Sequence, residues 1–297
     1  MAIKTMTVNI NGQVTNLIYN ATSGYYEGST TAPSKSSYPL EGHYYPVTVK
    51  ATDEAGNVTS IDNSDGTLGS KLRLVVKEKN APLLSFISPG AGAFVKTNKP
   101  TIQWNVTDDD SGVNPDTIGI TIDSGSKITS GITKTAIAGG YQCSYVPTLS
   151  DGSHTIKIDA TDYDGNAGVQ KTVAFKVDTT PPALNITSPT EGLITNNANI
   201  TVKGTTNDIT SSPVTVKVNG TAVSVSSTGE ISYPMKLATE GKNVLEITAT
   251  DSAGQTSKVT RTVYLDTKAP VIQEVILTPS TVDGGATFTI KVKASDA

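Results

Sequence analysis

"ATDYDGNAG", residues 160–168, decides how this chain is read. Asp162, Asp164 and Asn166 alternate as the first ligands of an EF-hand loop do. That loop needs Gly at its sixth position and Glu at its twelfth, where this chain has Ala167 and Val173. The stretch also has copies, "ATDEAGN" from Ala51 and "ATDSAGQ" from Ala249. A loop built three times belongs to a repeat. Its plainest role is a hairpin turn, in which the Asp side chain accepts backbone N–H groups. Gly56, Gly165 and Gly254 would complete the bend, since glycine takes a positive φ without penalty. Only the middle copy carries an acid at the Asp164 position, where the others have Ala55 and Ala253.

The copies extend in both directions. Upstream lie "LEGHYYPVTVKATD" (40–53), "LSDGSHTIKIDATD" (149–162) and "LATEGKNVLEITATD" (237–251). Each runs from a leucine through an acidic-Gly turn into an alternating strand. Stepping back by twos puts Ile156, Ile158 and Ala160 on one face, then Leu245, Ile247 and Ala249, and Val47, Val49 and Ala51. Downstream, "KTVAFKVD" and "RTVYLD" close the hairpins at Asp178 and Asp266. Proline-bearing linkers follow at "KEKNAP" (77–82), "DTTPP" (178–182) and "DTKAP" (266–270), where proline stops the strand and stiffens the joint. A new strand then ends in "ISP", "TSP" or "LTP" at Pro89, Pro189 and Pro279. No long segment shows the 3.6-residue apolar period of a helix. The chain is read as all-β.

The A-x-D-x-x-G-N hairpin and the Asp-Thr-Pro linker resemble those of bacterial and phage Ig-like repeats. That resemblance covers nearly the whole chain and implies tandem immunoglobulin-like β-sandwich domains, arranged as beads in an elongated rod. The expected divisions are a shortened or variant domain over 1–79, Ig-like domains over 80–179 and 180–267, and the first two strands of an incomplete repeat over 268–297. Asn219-Gly220 in "VKVNGTAVSV" and Asn11-Gly12 in "VNINGQVTNL" mark matching tight turns, so the first domain starts mid-repeat. Three readings of these ends stay open: a fragment of a longer array, a shortened first domain that folds unaided and leaves a frayed tail, or terminal strands that complete the first domain of a neighbouring chain.

Some related adhesin repeats hold calcium at domain joints, using linker and loop carboxylates. The matching positions are Asp162 and Asp164 with Asp178, or Asp251 with Asp266. No other cofactor is expected. The acids of "TDDDSGVNPD" (107–116), Asp108, Asp109, Asp110 and Asp116, would suit calcium as hard oxygen ligands, although the plainer reading is a solvated loop. His43 and His154 take near-equivalent repeat positions, with Asn243 at the third, which suits a corner bond to backbone rather than catalysis. Setting Leu149 against Leu237 puts Cys143, the only cysteine, opposite Ile231, so it reads as a small core hydrophobe. Trp104 reads as core filling. Tyr25, Tyr26, Tyr44 and Tyr45 are the candidates for glycan contact, although alternation would bury one of each pair.

The formal charge is −4, and Arg73 and Arg261 are the only arginines, so no basic patch for nucleic acid exists. No apolar run is long enough for a spanning helix, and "MAIKTMTVNI" lacks a secretory leader. No phosphate loop, nucleophile elbow or zinc motif is present. The expectation is a non-enzymatic structural or adhesive protein, extracellular or part of a virion. Its partners would be other structural proteins of a virion or surface assembly, with a cell-surface glycan or protein receptor. A phage tail, baseplate or fibre is the first reading, a bacterial adhesin segment the second, and an accessory carbohydrate-binding module the third.

Overall fold

Alternation builds the long central strands of the two sandwiches. Strand Gly152–Asp159 buries His154, Ile156 and Ile158 and turns Thr155, Lys157 and Asp159 the other way. Strand Gly241–Thr250 does the same with Asn243, Leu245, Ile247 and Ala249. The computed structural model describes residues 2–296, which form strands and two short 3-10 turns, with no α-helix among them. The chain divides into two compact units, Met1–Val177 and Asp178–Ala297.

The first unit contains one complete sandwich. Its first sheet orders Gly119–Ile122, Gly152–Asp159, Lys171–Val177 and Phe94–Val95, the last pair parallel. The facing sheet orders Thr133–Ile137, Gly140–Tyr145, Ile102–Thr107 and Leu83–Ser88. Between them lies a continuous core that includes Leu84, Ile102, Trp104, Cys143, Ile156, Ile158 and Phe175. Each large aliphatic or aromatic side chain so buried contributes about 1.5–3 kcal/mol relative to exposure. This is the two-layer solution an alternating sheet requires.

The second unit repeats the plan. Ala183–Ser188, Asn199–Asn207 and Glu230–Lys236 make one sheet. Leu193–Thr195, Thr256–Leu265, Gly241–Thr250, Thr215–Val218 and Thr221–Val223 make the other. Its own core holds Ile186, Val202, Val216, Val218, Ile231, Leu245, Ile247 and Val263. After it, Val271–Thr278 pairs with Thr289–Ser295 as an antiparallel hairpin whose residues are all exposed.

The opening 79 residues differ from a sandwich. Strands Ile3–Ile10, Gln13–Asn20, Tyr25–Glu27, Tyr45–Asp53 and Val58–Ile61 lie in one sheet, with Arg73–Leu74 beside Tyr45–Asp53. Asn11 and Gly12 take the positive φ angles of a two-residue hairpin turn, as Asn219 and Gly220 do. Yet Val47, Val49 and Ala51, on the face expected to be inward, are only half-buried. Among the described residues of this segment, Tyr45 is the only buried large hydrophobic side chain. The repeat pattern is present here, but the described residues of this segment form no second sheet over it.

Candidate functional site

The opening loop is a turn in all three copies. Asp162 Oδ1 accepts the Asn166 N–H at 2.8 Å, and Oδ2 accepts the Asn166 side-chain amide at 2.7 Å. Asp53 takes the same pair of bonds from Asn57, both 2.8 Å, and these hold its carboxyl below the usual range. Asp251 Oδ1 accepts the Gln255 N–H at 2.8 Å. The longer Gln255 amide reaches instead to the Asp178 carbonyl, 2.9 Å away. Asp251 Oδ2 is therefore left buried with no hydrogen-bond partner.

Two of these turn carboxylates belong to larger clusters. Glu78, Asp108 and Asp162 each offer one oxygen to a group whose members lie within 4.8 Å of one another. Asp178, Asp208 and Asp251 form a second group of the same dimensions. The clusters occupy equivalent positions of the repeat. In each, the first acid lies in the linker four residues before Pro82 or Pro182, the second follows the strand Ile102–Thr107 or Asn199–Asn207, and the third opens the hairpin turn.

The loop acids are held by their own backbone. Asp108 Oδ1 accepts the Asp110 and Gly112 N–H groups at 3.1 and 2.8 Å. Asp208 Oδ1 accepts those of Thr210 and Ser211 at 2.8 and 2.6 Å. The linker acids are tied to the same loops. Glu78 Oε1 accepts the Ser111 N–H at 2.7 Å, and the Ser211 hydroxyl donates to Asp178 Oδ2. Glu78 Oε2 has no partner, although the residue is only 8% exposed. None of the six acids is in an ion pair among the described residues.

Crowding acids has an electrostatic cost. Two unit charges 4 Å apart interact by about 4 kcal/mol at the effective dielectric of a protein surface. Burial pushes the Glu78 carboxyl up, Ser111 opposes the rise, and the neighbouring Asp108 and Asp110 carboxylates add to it.

The expected groupings change accordingly. Asp162 lies with the linker acid that precedes its own domain, and Asp178 and Asp251 share a cluster with Asp208. Glu78 and Asp208 lie outside the expected ligands, and Asp108 comes from the loop whose plainer reading is a solvated one. Their signal was available: Glu78 and Asp178, and Asp108 and Asp208, are each 100 residues apart within matching motifs. Asp164 belongs to neither cluster and accepts the Glu78 N–H at 2.9 Å. Nor does Asp266, which accepts the Lys268 N–H at 3.2 Å. The 107–116 loop is not simply solvated, since Asp108 is half-buried and Asp110 accepts the Ser36 N–H at 3.0 Å.

The remaining candidates divide sharply. Cys143 is fully buried, and desolvation pushes its thiol to about 11, well away from nucleophilic use. His154 meets Asp123 through Nδ1 and the Ser150 carbonyl through Nε2, both at 2.9 Å, and His43 meets the Tyr38 carbonyl. These are the corner bonds expected. Tyr45 is corrected: it is 6% exposed and its hydroxyl donates to the Lys35 carbonyl, so it cannot stack on a glycan. Tyr25 is exposed, Tyr26 sits half-buried 5.2 Å from Tyr19, and Tyr44 lies beneath the Arg73 guanidinium.

The two closed cores, the strand orders and the repeated turn define tandem Ig-like or fibronectin-III-like domains. A model of the bacterial Ig domain matches residues 82–158, and one of glucodextranase domain B matches residues 182–267. The PII-type proteinase of Lactococcus lactis subsp. cremoris is 27% identical over 278 residues, covering 84% of this chain and 13% of the proteinase. Bacillopeptidase F of Bacillus subtilis (strain 168) is 30% identical over 149 residues, covering 49% of this chain and 10% of that protein. The chain thus spans a small fraction of the length of these relatives. Among solved structures, the fibronectin(III)-like modules of Clostridium thermocellum CbhA cover 61% of this chain and 93% of their own, at 18% identity and a TM-score of 0.36. An I-band fragment of titin covers 89% and 88%, at 13% identity and a TM-score of 0.43.

Proposed function

We propose that this chain is a non-catalytic spacer and presentation region of a larger bacterial extracellular protein of the proteinase kind. The observation that carries this reading is similarity to proteinases along most of the chain, over a stretch that is a small part of each proteinase. The residue chemistry agrees with it. The cysteine is buried, and both histidines are engaged at strand corners. Separate cores let each sandwich fold alone, so serial domains can hold a distant module away from a surface. The comparisons favour this second, bacterial reading over the phage tail, and no helix among the described residues is long and apolar enough to cross a membrane.

Deleting the region from the whole protein tests the proposal. Cleavage of a short soluble peptide is expected to persist, while cleavage of a bulky or surface-bound substrate falls. Loss of both in a folded deletion protein would assign the region to the catalytic machinery instead.

A further inference from the structure

We propose that Asp110, Tyr163 and Asp164 form a docking surface on the first sandwich, that its partner is the opening segment of the same chain, and that it fixes the joint between the two. Each of the three touches the opening 79 residues. Asp164 Oδ2 accepts the Glu78 N–H at 2.9 Å, and the Asp164 carbonyl accepts the Lys77 ammonium at 3.4 Å. Asp110, with a side chain 7% exposed, accepts the Ser36 N–H at 3.0 Å and lies 3.9 Å from the Lys35 ammonium. The Tyr163 ring stacks on Tyr38, with centroids 4.2 Å apart and planes 11° from parallel. Tyr38 stacks in turn on His43, at 4.3 Å. Carboxylates on backbone N–H groups and stacked rings set direction as well as distance, so together they fix an orientation.

The opening segment holds its side of the contact in place. Ser36 and Ser37 are buried. The Ser37 N–H donates to the Val76 carbonyl at 2.9 Å, and the Ser37 hydroxyl accepts the Val76 N–H at 3.1 Å. The Tyr45 hydroxyl donates to the Lys35 carbonyl at 3.2 Å. Residues 35–38 are thus fastened to the stretch that leads into the linker, and both present themselves to the sandwich together.

The repeat supplies the control. Asp108 and Asp162 of the first sandwich are matched by Asp208 and Asp251 of the second. Asp110, Tyr163 and Asp164 are matched instead by Thr210, Ser252 and Ala253, and the first copy of the turn has Glu54 and Ala55. The turn requires neither Tyr163 nor Asp164, since Asp53 and Asp251 accept their backbone N–H groups without them. The three docking residues are therefore additions to the shared plan, confined to the sandwich that follows the opening segment. They specify which domain precedes it. This assignment stands apart from the spacer role, because it is measured within the chain whatever protein carries it.

Exchanging the additions for the second sandwich's residues is the test. Asp110→Thr, Tyr163→Ser and Asp164→Ala are combined in the full chain. Lys50→Cys and Thr135→Cys, at exposed positions of the opening sheet and the first sandwich, take spin labels, while Cys143 is buried. The distance distribution between the labels is expected to be narrow with the docking residues intact and at least twofold broader in the triple variant. The Ser36 and Glu78 amides should exchange at least tenfold faster there, while Trp104 fluorescence shows the sandwich still folded. A distribution that stays narrow in the folded triple variant, or one already as broad with the docking residues intact, overturns the proposal. If the triple variant loses the sandwich, Tyr163→Ser alone, at a residue 37% exposed, decides the matter by the same two readouts.

Discussion

The two sandwiches solve one packing problem with different side chains. In the first, Trp104 is paired in the sheet with Phe86 on one side and Cys143 on the other. In the second, Gly204 takes the place of Trp104, between Ile186 and Ile231. One core uses a large indole beside a small thiol; the other has no side chain at the central position, and Ile186 Cδ1 reaches over it. Trp104, Cys143, Ile186 and Ile231 are all buried, so both solutions close. Each position is tuned to its cross-strand partner rather than to the repeat, as close packing demands.

The largest effect expected from breaking that tuning is at Trp104. Trp104→Ala leaves a cavity beside Cys143 and should cost about 3–5 kcal/mol, read as a lower calorimetric midpoint for the first sandwich. Trp104→Phe should cost much less, because it removes an indole N–H that is buried without a partner. An equal loss in both variants would show that the indole is not filling space.

Gly204→Ala comes next. A Cβ there would lie 2.3 Å from the Asn185 carbonyl oxygen and 2.9 Å from Ile186 Cδ1, so backbone has to move. Overpacking of this kind costs about 1–3 kcal/mol. Because Trp104 is the only tryptophan, fluorescence reports the first sandwich. The fluorescence transition should hold while a calorimetric transition shifts. Movement of both would mean that the cores do not unfold independently.

The smallest effect is at the strand corner. His154 and Asn243 hold the same position, but only the histidine titrates. Asn243 bonds Thr239 and Gly241 carbonyls at 2.7 and 3.0 Å while accepting the Ala238 and Thr239 N–H groups. Both ring nitrogens of His154 face acceptors, which favours the imidazolium. Burial opposes the charge, but Asp123 and the Ser150 carbonyl outweigh it and raise the pKa above 6.5. For Asp123, burial works against ionisation, yet the Thr155 N–H and His154 prevail and lower its pKa below 3.8. The histidine's contribution is therefore complete below pH 6.5 and lost as pH climbs through the raised value. The aspartate's is complete above 3.8 and lost as pH falls through the lowered one. Asp123 is half-exposed, so the pair is worth about 0.5–1 kcal/mol. His154→Asn should flatten the stability profile of the first sandwich above pH 6.5, checked by urea unfolding across pH. A profile already flat in the wild type would remove the ion pair from the account.

What the sequence determined by itself is whatever depends on neighbours along the chain. Period-two burial of Ile156, Ile158 and Ala160, the Asp-to-Asn turn and the equivalence of Cys143 with Ile231 all follow from local spacing, and all are seen. Tertiary structure alone decided two things. One was which linker acid meets which loop, because Glu78 and Asp162 are brought together only when the strands between them close into a sandwich. The other was that Val47, Val49 and Ala51 stay half-buried. An alternating strand specifies which face seeks cover, and only another layer of the fold can provide it.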